Sequence, residues 1–170
     1  RDKPVVSPES VTAQTVLVID AGHGGEDGGA VSASGVPESK INLAIAQKTQ
    51  LLLAFVGQVT IMTREGEEAI YSPDAQTLRE KKVSDLSNRV KLVNETAGSI
   101  LLSIHQNSLP SSPQTHGAQA FWNGQEGAQA LAEAVQAALN TAINSERPKE
   151  AKAMGSSVYL MKNAQAPGVL

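Results

Sequence analysis

Apolar residues follow two rhythms along this chain: short unbroken runs that suit buried strands, and longer segments with helical spacing. Val16 to Ile19 (VLVI) is the first run, stopping at Asp20 and opening into a loop with glycines at 22, 24, 25, 28 and 29. A helical segment follows from Glu38, preceded by Pro37, with Ile41, Ala44, Ile45, Leu51, Leu52 and Phe55 as its predicted core face and Lys48 interrupting it. Gly57 ends that segment, and Val59 to Met62 forms a second short strand. Residues 66–82 are polar and read as a long surface excursion of the kind that borders active sites.

A second helix is predicted over 84–97, where Leu86, Val90, Val93 and Ala97 share a face and Gly98 supplies the stop. Ile100 to Ile104 (ILLSI) is a buried strand ending on His105, and Gly117 to Trp122 (GAQAFW) is another, followed by an Asn-Gly turn. Ala128, Leu131, Val135, Leu139 and Ile143 mark a third amphipathic helix. Residues 144–155 read as a charged linker, and Val158 to Met161 and Val169-Leu170 as two final strands. Strands alternating with helices predict an α/β fold: a single layered domain with a mostly parallel, twisted sheet of about six strands flanked by helices. The prolines and polar residues of positions 1–14 predict a tail or linker, leaving 15–170 as the domain.

Composition narrows the possible functions. Fourteen basic residues against 17 acidic ones give no basic surface for nucleic acid. No apolar run is long enough to cross a membrane. Cysteine is absent, so a metal site would have to use histidine and carboxylate ligands.

The chemistry-bearing residues gather at strand ends. His23 lies in the glycine loop after the first strand, and His105 directly follows another buried strand. If these strands are parallel neighbours, both imidazoles emerge at one sheet edge, where α/β folds bind ligands. The loop would fold Glu38 back toward His23, and two imidazoles with one carboxylate suit Zn²⁺, leaving an open fourth position for water. Each residue also has a plainer reading: a hydrogen-bonded histidine at a strand end, or a carboxylate favoured by a helix N-terminus. GHGGEDGG could alternatively cradle a phosphate, but it lacks the Lys-Ser/Thr of a P-loop and any GxGxxG. His116, in SSPQTHG, reads as a surface residue.

Five blocks in order, DAGHGGEDGGA, VPESKINLAIA, IMTRE, LSNRVKLVNE and SIHQNS, resemble the zinc-dependent N-acetylmuramoyl-L-alanine amidases of the type-3 family. The segment SVYLMKNAQAPGVL is most similar to the germination-specific members acting on spore cortex. The resemblance implies Zn²⁺ held by His23, Glu38 and His105, and hydrolysis of the amide between the lactyl group of N-acetylmuramic acid and L-alanine. It implies supporting or substrate-binding roles for Arg89 and Asn107, which read alone are a solvated helix cation and a turn-forming residue. It implies peptidoglycan as substrate, export to the cell envelope or spore cortex, and an activator or regulatory protein as a candidate partner.

In that family the last strand leads into a catalytic acid/base glutamate. Here that position would lie just beyond Leu170, so the expectation is a chain truncated before its last motif and weakly active or inactive. Glu26 and Asp27 lie near the site, but the family pattern gives neither that role. The rival readings are a non-catalytic zinc-containing cell-wall-binding or regulatory domain, and a metal-dependent peptidase.

Overall fold

The computed structural model describes residues 14–109, 111–112 and 114–170. All of the predicted tail except residue 14 therefore lies outside the described residues. The chain runs β1 (Val16–Ala21), α1 (Glu38–Phe55), β2 (Thr60–Met62), α2 (Leu78–Glu95), β3 (Ser99–Ile104), β4 (Phe121–Trp122), α3 (Ala128–Ala142), β5 (Lys152–Ala153), α4 (Tyr159–Asn163) and β6 (Gly168–Val169). The six strands form one sheet in the order β2-β1-β3-β6-β4-β5. Every pairing is parallel except β4 with β6. This is the predicted α/β architecture.

Strand alternation sorts the core into two faces. Val18 of β1 and Leu101 of β3 pack with Val93 of α2 and with Leu160 and Met161 of α4. The neighbouring residues Ile19 and Ala21 turn the other way, joining Leu43 and Ala46 of α1 and Met62. Further along the sheet, Ala120 and Val169 bury against Ala132 of α3. In the β1–β3 register Asp20 pairs with Ser103 and Ala21 with Ile104. The two strands therefore end level with each other, and the residues that follow them, Gly22-His23 and His105, leave the sheet at the same edge.

Several elements differ from their prediction. Residues 158–161 form the start of a short helix instead of a strand, because a four-residue apolar run fits either state and here it caps the α2 face. The polar excursion is shorter than predicted, since α2 begins at Leu78 behind a capping box: Thr77 accepts from the Glu80 N–H while the Glu80 carboxylate accepts from the Thr77 N–H. The predicted strand over 117–122 is reduced to Phe121–Trp122. The predicted linker contains β5, an exposed two-residue strand without an apolar pattern to reveal it.

The largest correction concerns α1. Its buried residues are Glu38, Asn42, Leu43 and Ala46, while Leu51, Leu52 and Phe55 are 72%, 69% and 91% exposed. Two of the four inward positions carry polar groups that serve the edge of the sheet, so the apolar periodicity pointed to the wrong face.

Candidate metal centre

The glycine loop is shaped around His23. This residue takes φ 61, an unusual left-handed conformation for a side chain as large as imidazole. Two buried arginines and an asparagine hold its backbone. Arg64 donates to the carbonyls of Ala21 and Gly22, at 2.9 and 3.2 Å. Arg89 donates to those of Ala21 and His23, both at 2.8 Å, and Asn42 donates to Gly22 O at 3.1 Å. Three consecutive carbonyls thereby each receive at least one side-chain donor, which compensates the backbone polarity buried at the strand end. Gly29 (φ 68) is required by close approach: a Cβ there would lie 2.6 Å from His23 Cδ2 and 2.7 Å from Glu38 Oε2.

Arg89 is not a solvated cation. Its side chain is 2% exposed and lies between two carboxylates, Asp20 Oδ1 at 2.7 Å and Asp85 Oδ2 at 2.7 Å. Burial works to raise the Asp20 pKa, but the Arg89 charge and hydrogen bonds from Ser103 and Arg89 hold it below the ordinary carboxylate value. Burial likewise works against the Arg89 charge, and the two carboxylates more than compensate, raising its pKa.

Glu38 reaches the edge as predicted from the loop. Its N–H donates to Ala30 O at 2.7 Å, and Ser39 N–H donates to Gly28 O at 3.0 Å, drawing the start of α1 against the glycine loop. Oε2 accepts from Ala30 N at 3.0 Å; Oε1 accepts from Gln106 N at 2.9 Å and Asn42 Nδ2 at 3.2 Å. Burial alone would raise this carboxyl's pKa, yet these donors together with the charge of His23 lower it, keeping Glu38 ionised.

His23, Glu38 and His105 converge: one ligand atom from each lies within 4.8 Å of the other two. Glu38 Oε1 is 2.9 Å from His105 Nδ1 and 3.4 Å from His23 Nε2. A tetrahedral site with bonds of about 2.0–2.2 Å has ligand–ligand edges of roughly 3.3–3.6 Å. The His23–Glu38 distance matches that edge, and the His105–Glu38 distance, now a hydrogen bond, needs only a small lengthening for the set to hold a small divalent ion. Asp27 Oδ1 lies 3.1 Å from His23 Nδ1, an arrangement that fixes the tautomer and leaves Nε2 facing Glu38. Burial, with the neighbouring charge of His23, lowers the His105 pKa despite the opposing pull of Asp20 and Glu38, favouring the neutral imidazole that a metal needs.

The other residues singled out from the sequence fall elsewhere. Asn107 is exposed, on the loop after His105, and His116 is exposed too. Glu26 pairs with Lys81 at 2.7 Å and is not part of the converging group of His23, Glu38 and His105. The sequence reading missed Asp27 as the partner of His23, and also Asn42 and Arg64. Asn42 sits one helical turn after Glu38, a spacing that could have revealed it.

The sequence profile of the N-acetylmuramoyl-L-alanine amidases matches residues 17–170. The chain belongs to this amidase family. Within it, the germination-specific N-acetylmuramoyl-L-alanine amidase of Bacillus subtilis is 33% identical over 156 residues, covering 91% of this chain and 64% of that protein. The chain thus spans just under two thirds of that relative's length. The amidase CwlD of Clostridioides difficile, solved in complex with the GerS lipoprotein, superposes with a TM-score of 0.85 at 31% identity, covering 92% of this chain and 80% of that one. The catalytic domain of the amidase CwlV from Bacillus (Paenibacillus) polymyxa var. colistinus superposes with a TM-score of 0.71 at 26% identity, covering 92% and 78%. The resemblance carried by the five motif blocks is borne out. No helix among the described residues is long and apolar enough to cross a membrane.

Proposed function

We propose that this amidase-family chain is a zinc-dependent peptidoglycan hydrolase that cleaves the amide between the lactyl group of N-acetylmuramic acid and the L-alanine of the stem peptide. The observation that carries the reading is the meeting of His23, Glu38 and His105 at one sheet edge, on the fold of this family. These residues would hold Zn²⁺, whose bound form supplies Lewis acidity at a carbonyl and acidified water at neutral pH.

The chain's own groups do the positioning. Asp27 orients His23, while Ala30 N, Gln106 N and Asn42 orient Glu38. Arg64 and Arg89 fix the loop backbone, so the ligand atoms are brought together before anything binds. Beside the histidines lies a cavity of about 320 Å³, within the range of natural ligand sites. His23 and His105 line it, with Tyr71 and Leu86 on its walls, so a substrate amide held there lies against the ligand residues.

The kinship with a germination-specific amidase and with a lipoprotein-bound one supports a place of action at the cell wall or spore cortex, with a regulatory protein partner. The test is digestion of defined muropeptides by the zinc-loaded full-length protein, with the products weighed by mass spectrometry. Intact stem peptide with a free L-alanine amino terminus is expected. Cleavage between amino acids would make the protein a peptidase, and binding without turnover would make it a wall-binding or regulatory domain.

A further inference from the structure

Two cavities approach the three ligand residues and share no lining residue. The first, of about 320 Å³, contains His23 and His105; the second, of about 370 Å³, contains Glu38 and lies between the 30–36 loop and the segment after His105. Their chemistry differs. Apart from the buried Asp20, Asp85 and Arg89, the first has charged residues at its rim: Lys81 pairs with Glu26 at 2.7 Å and packs over the Tyr71 ring, and Lys82 pairs with Asp27 at 3.2 Å. In the second, every lining residue except Glu38 is uncharged, with hydroxyls and amides from Ser32, Gln106, Asn107, Ser108, Ser112 and Thr115. Among the described residues, the side chains of Asn107 and Ser108 make no hydrogen bond, whereas Ser112 and Thr115 bond each other at 2.9 Å.

The bond assigned above joins two chemically unlike halves. On one side is an N-acetylated saccharide with hydroxyls and an amide but no charge; on the other is a peptide with free carboxylates. From this contrast we infer the direction in which substrate lies across the centre. The uncharged cavity bounded by Glu38, Gln106 and Asn107 takes the saccharide, and the cavity bounded by Tyr71, Lys81 and Lys82 takes the peptide. The reverse placement would bring peptide carboxylates into a cavity lined by no lysine or arginine to pair with them. It would also desolvate the lysine pairs against a neutral sugar, with no new partner to replace the lost water. In the inferred direction a peptide carboxylate competes for Lys81 and Lys82, while Asn107 and Ser108 offer unused donors and acceptors to sugar hydroxyls. This gives Asn107 a substrate-binding role and makes Lys81 a specificity residue. The inference rests on the amidase reading, but it can be tested without turnover.

The test is a pair of titrations of the ¹⁵N-labelled, zinc-loaded protein, followed by two-dimensional NMR. One probe is a neutral N-acetylglucosamine trimer, the other the tripeptide L-alanyl-γ-D-glutamyl-L-lysine. The trimer is expected to shift the amides of residues 106–109 and 31–36, and the tripeptide those of Tyr71, Lys81, Lys82 and Leu86. Asn107→Ala should weaken the trimer about twofold to tenfold and leave the tripeptide unchanged. Lys81→Gln, chosen because it leaves the Asp27–His23 contact intact, should weaken the tripeptide about twofold to fivefold and leave the trimer unchanged. Added salt should weaken only the tripeptide. Exchanged shift patterns, both probes in one cavity, or no shifts at millimolar concentration would overturn the inference. Probes that bind as described, while the full-length protein cleaves no muropeptide, would instead overturn the amidase reading and leave the two sites standing.

Discussion

Arg89→Ala is the most demanding perturbation of the framework beneath the site. The side chain is 2% exposed and makes four close contacts: Asp85 Oδ2 and Asp20 Oδ1 at 2.7 Å, and the carbonyls of Ala21 and His23 at 2.8 Å. Its removal takes the cation from two carboxylates, Asp20 and Asp85, and a donor from the carbonyls of Ala21 and His23, of which Ala21 keeps the one from Arg64. Breaking a buried pair by deleting one partner costs about 3–5 kcal/mol, because the remaining charge stays buried. For a chain of this length about 1 kcal/mol corresponds to roughly 2–4 °C, so the melting temperature should fall by about 6–20 °C. Urea denaturation followed by circular dichroism gives the free energy directly. Arg89→Lys keeps the charge but cannot span two carboxylates and two carbonyls, so it should recover only part of the loss. Because Arg89 also holds the His23 carbonyl, zinc affinity should fall in Arg89→Lys even where that variant is folded. An Arg89→Ala protein within about 1 kcal/mol of the parent, with unchanged zinc affinity, would refute the claim that this guanidinium organises the loop.

Three smaller predictions follow from the same geometry. Asp27→Asn should weaken zinc binding about 10–100-fold by loosening His23, while urea stability changes little, since Asp27 is part-exposed. Gly29→Ala combines φ 68 with a Cβ 2.6 Å from the His23 ring, so isothermal titration should show zinc affinity lost along with about 1–2 kcal/mol of stability. The Asp20 carboxyl is held below its ordinary value of 3.8, so its ion pair contributes fully above that pH and is lost as pH falls through the lowered folded value. The urea midpoint of the parent should therefore drop steeply below pH 3.8, and Asp20→Asn should flatten that part of the profile.

The sheet and its candidate ligand-bearing edge were legible because residues 16–19 are apolar throughout and residues 100–104 are apolar but for Ser103, the signature of strands covered on both sides. Each ends at a residue with chemistry to offer. Helix α1 was misread for a physical reason: near the site its inward face carries Glu38 and Asn42, and its apolar residues Leu51, Leu52 and Phe55 are exposed. Periodicity assumes that the buried face is the apolar one, and functional edges break that assumption. The start of α2 was present in the sequence as Thr77-x-x-Glu80, a local signal overlooked because the surrounding residues are charged. Strand β5 carried no such signal, since two exposed residues bonded to β4 have no pattern of their own. The contacts made by Arg64 and Arg89 are long-range in sequence, reaching back 43 and 69 residues to β1, and only the fold brings them together.

The central claim is that His23, Glu38 and His105 grip one divalent ion. X-ray absorption at the zinc edge, combined with metal content per chain, tests it most directly. One zinc per chain is expected, with two imidazoles and a carboxylate among its ligands at about 2.0–2.2 Å, and His105→Ala should lose both the metal and one imidazole from the spectrum. Zinc retained by His105→Ala at full stoichiometry, with an unchanged ligand shell, would contradict the account.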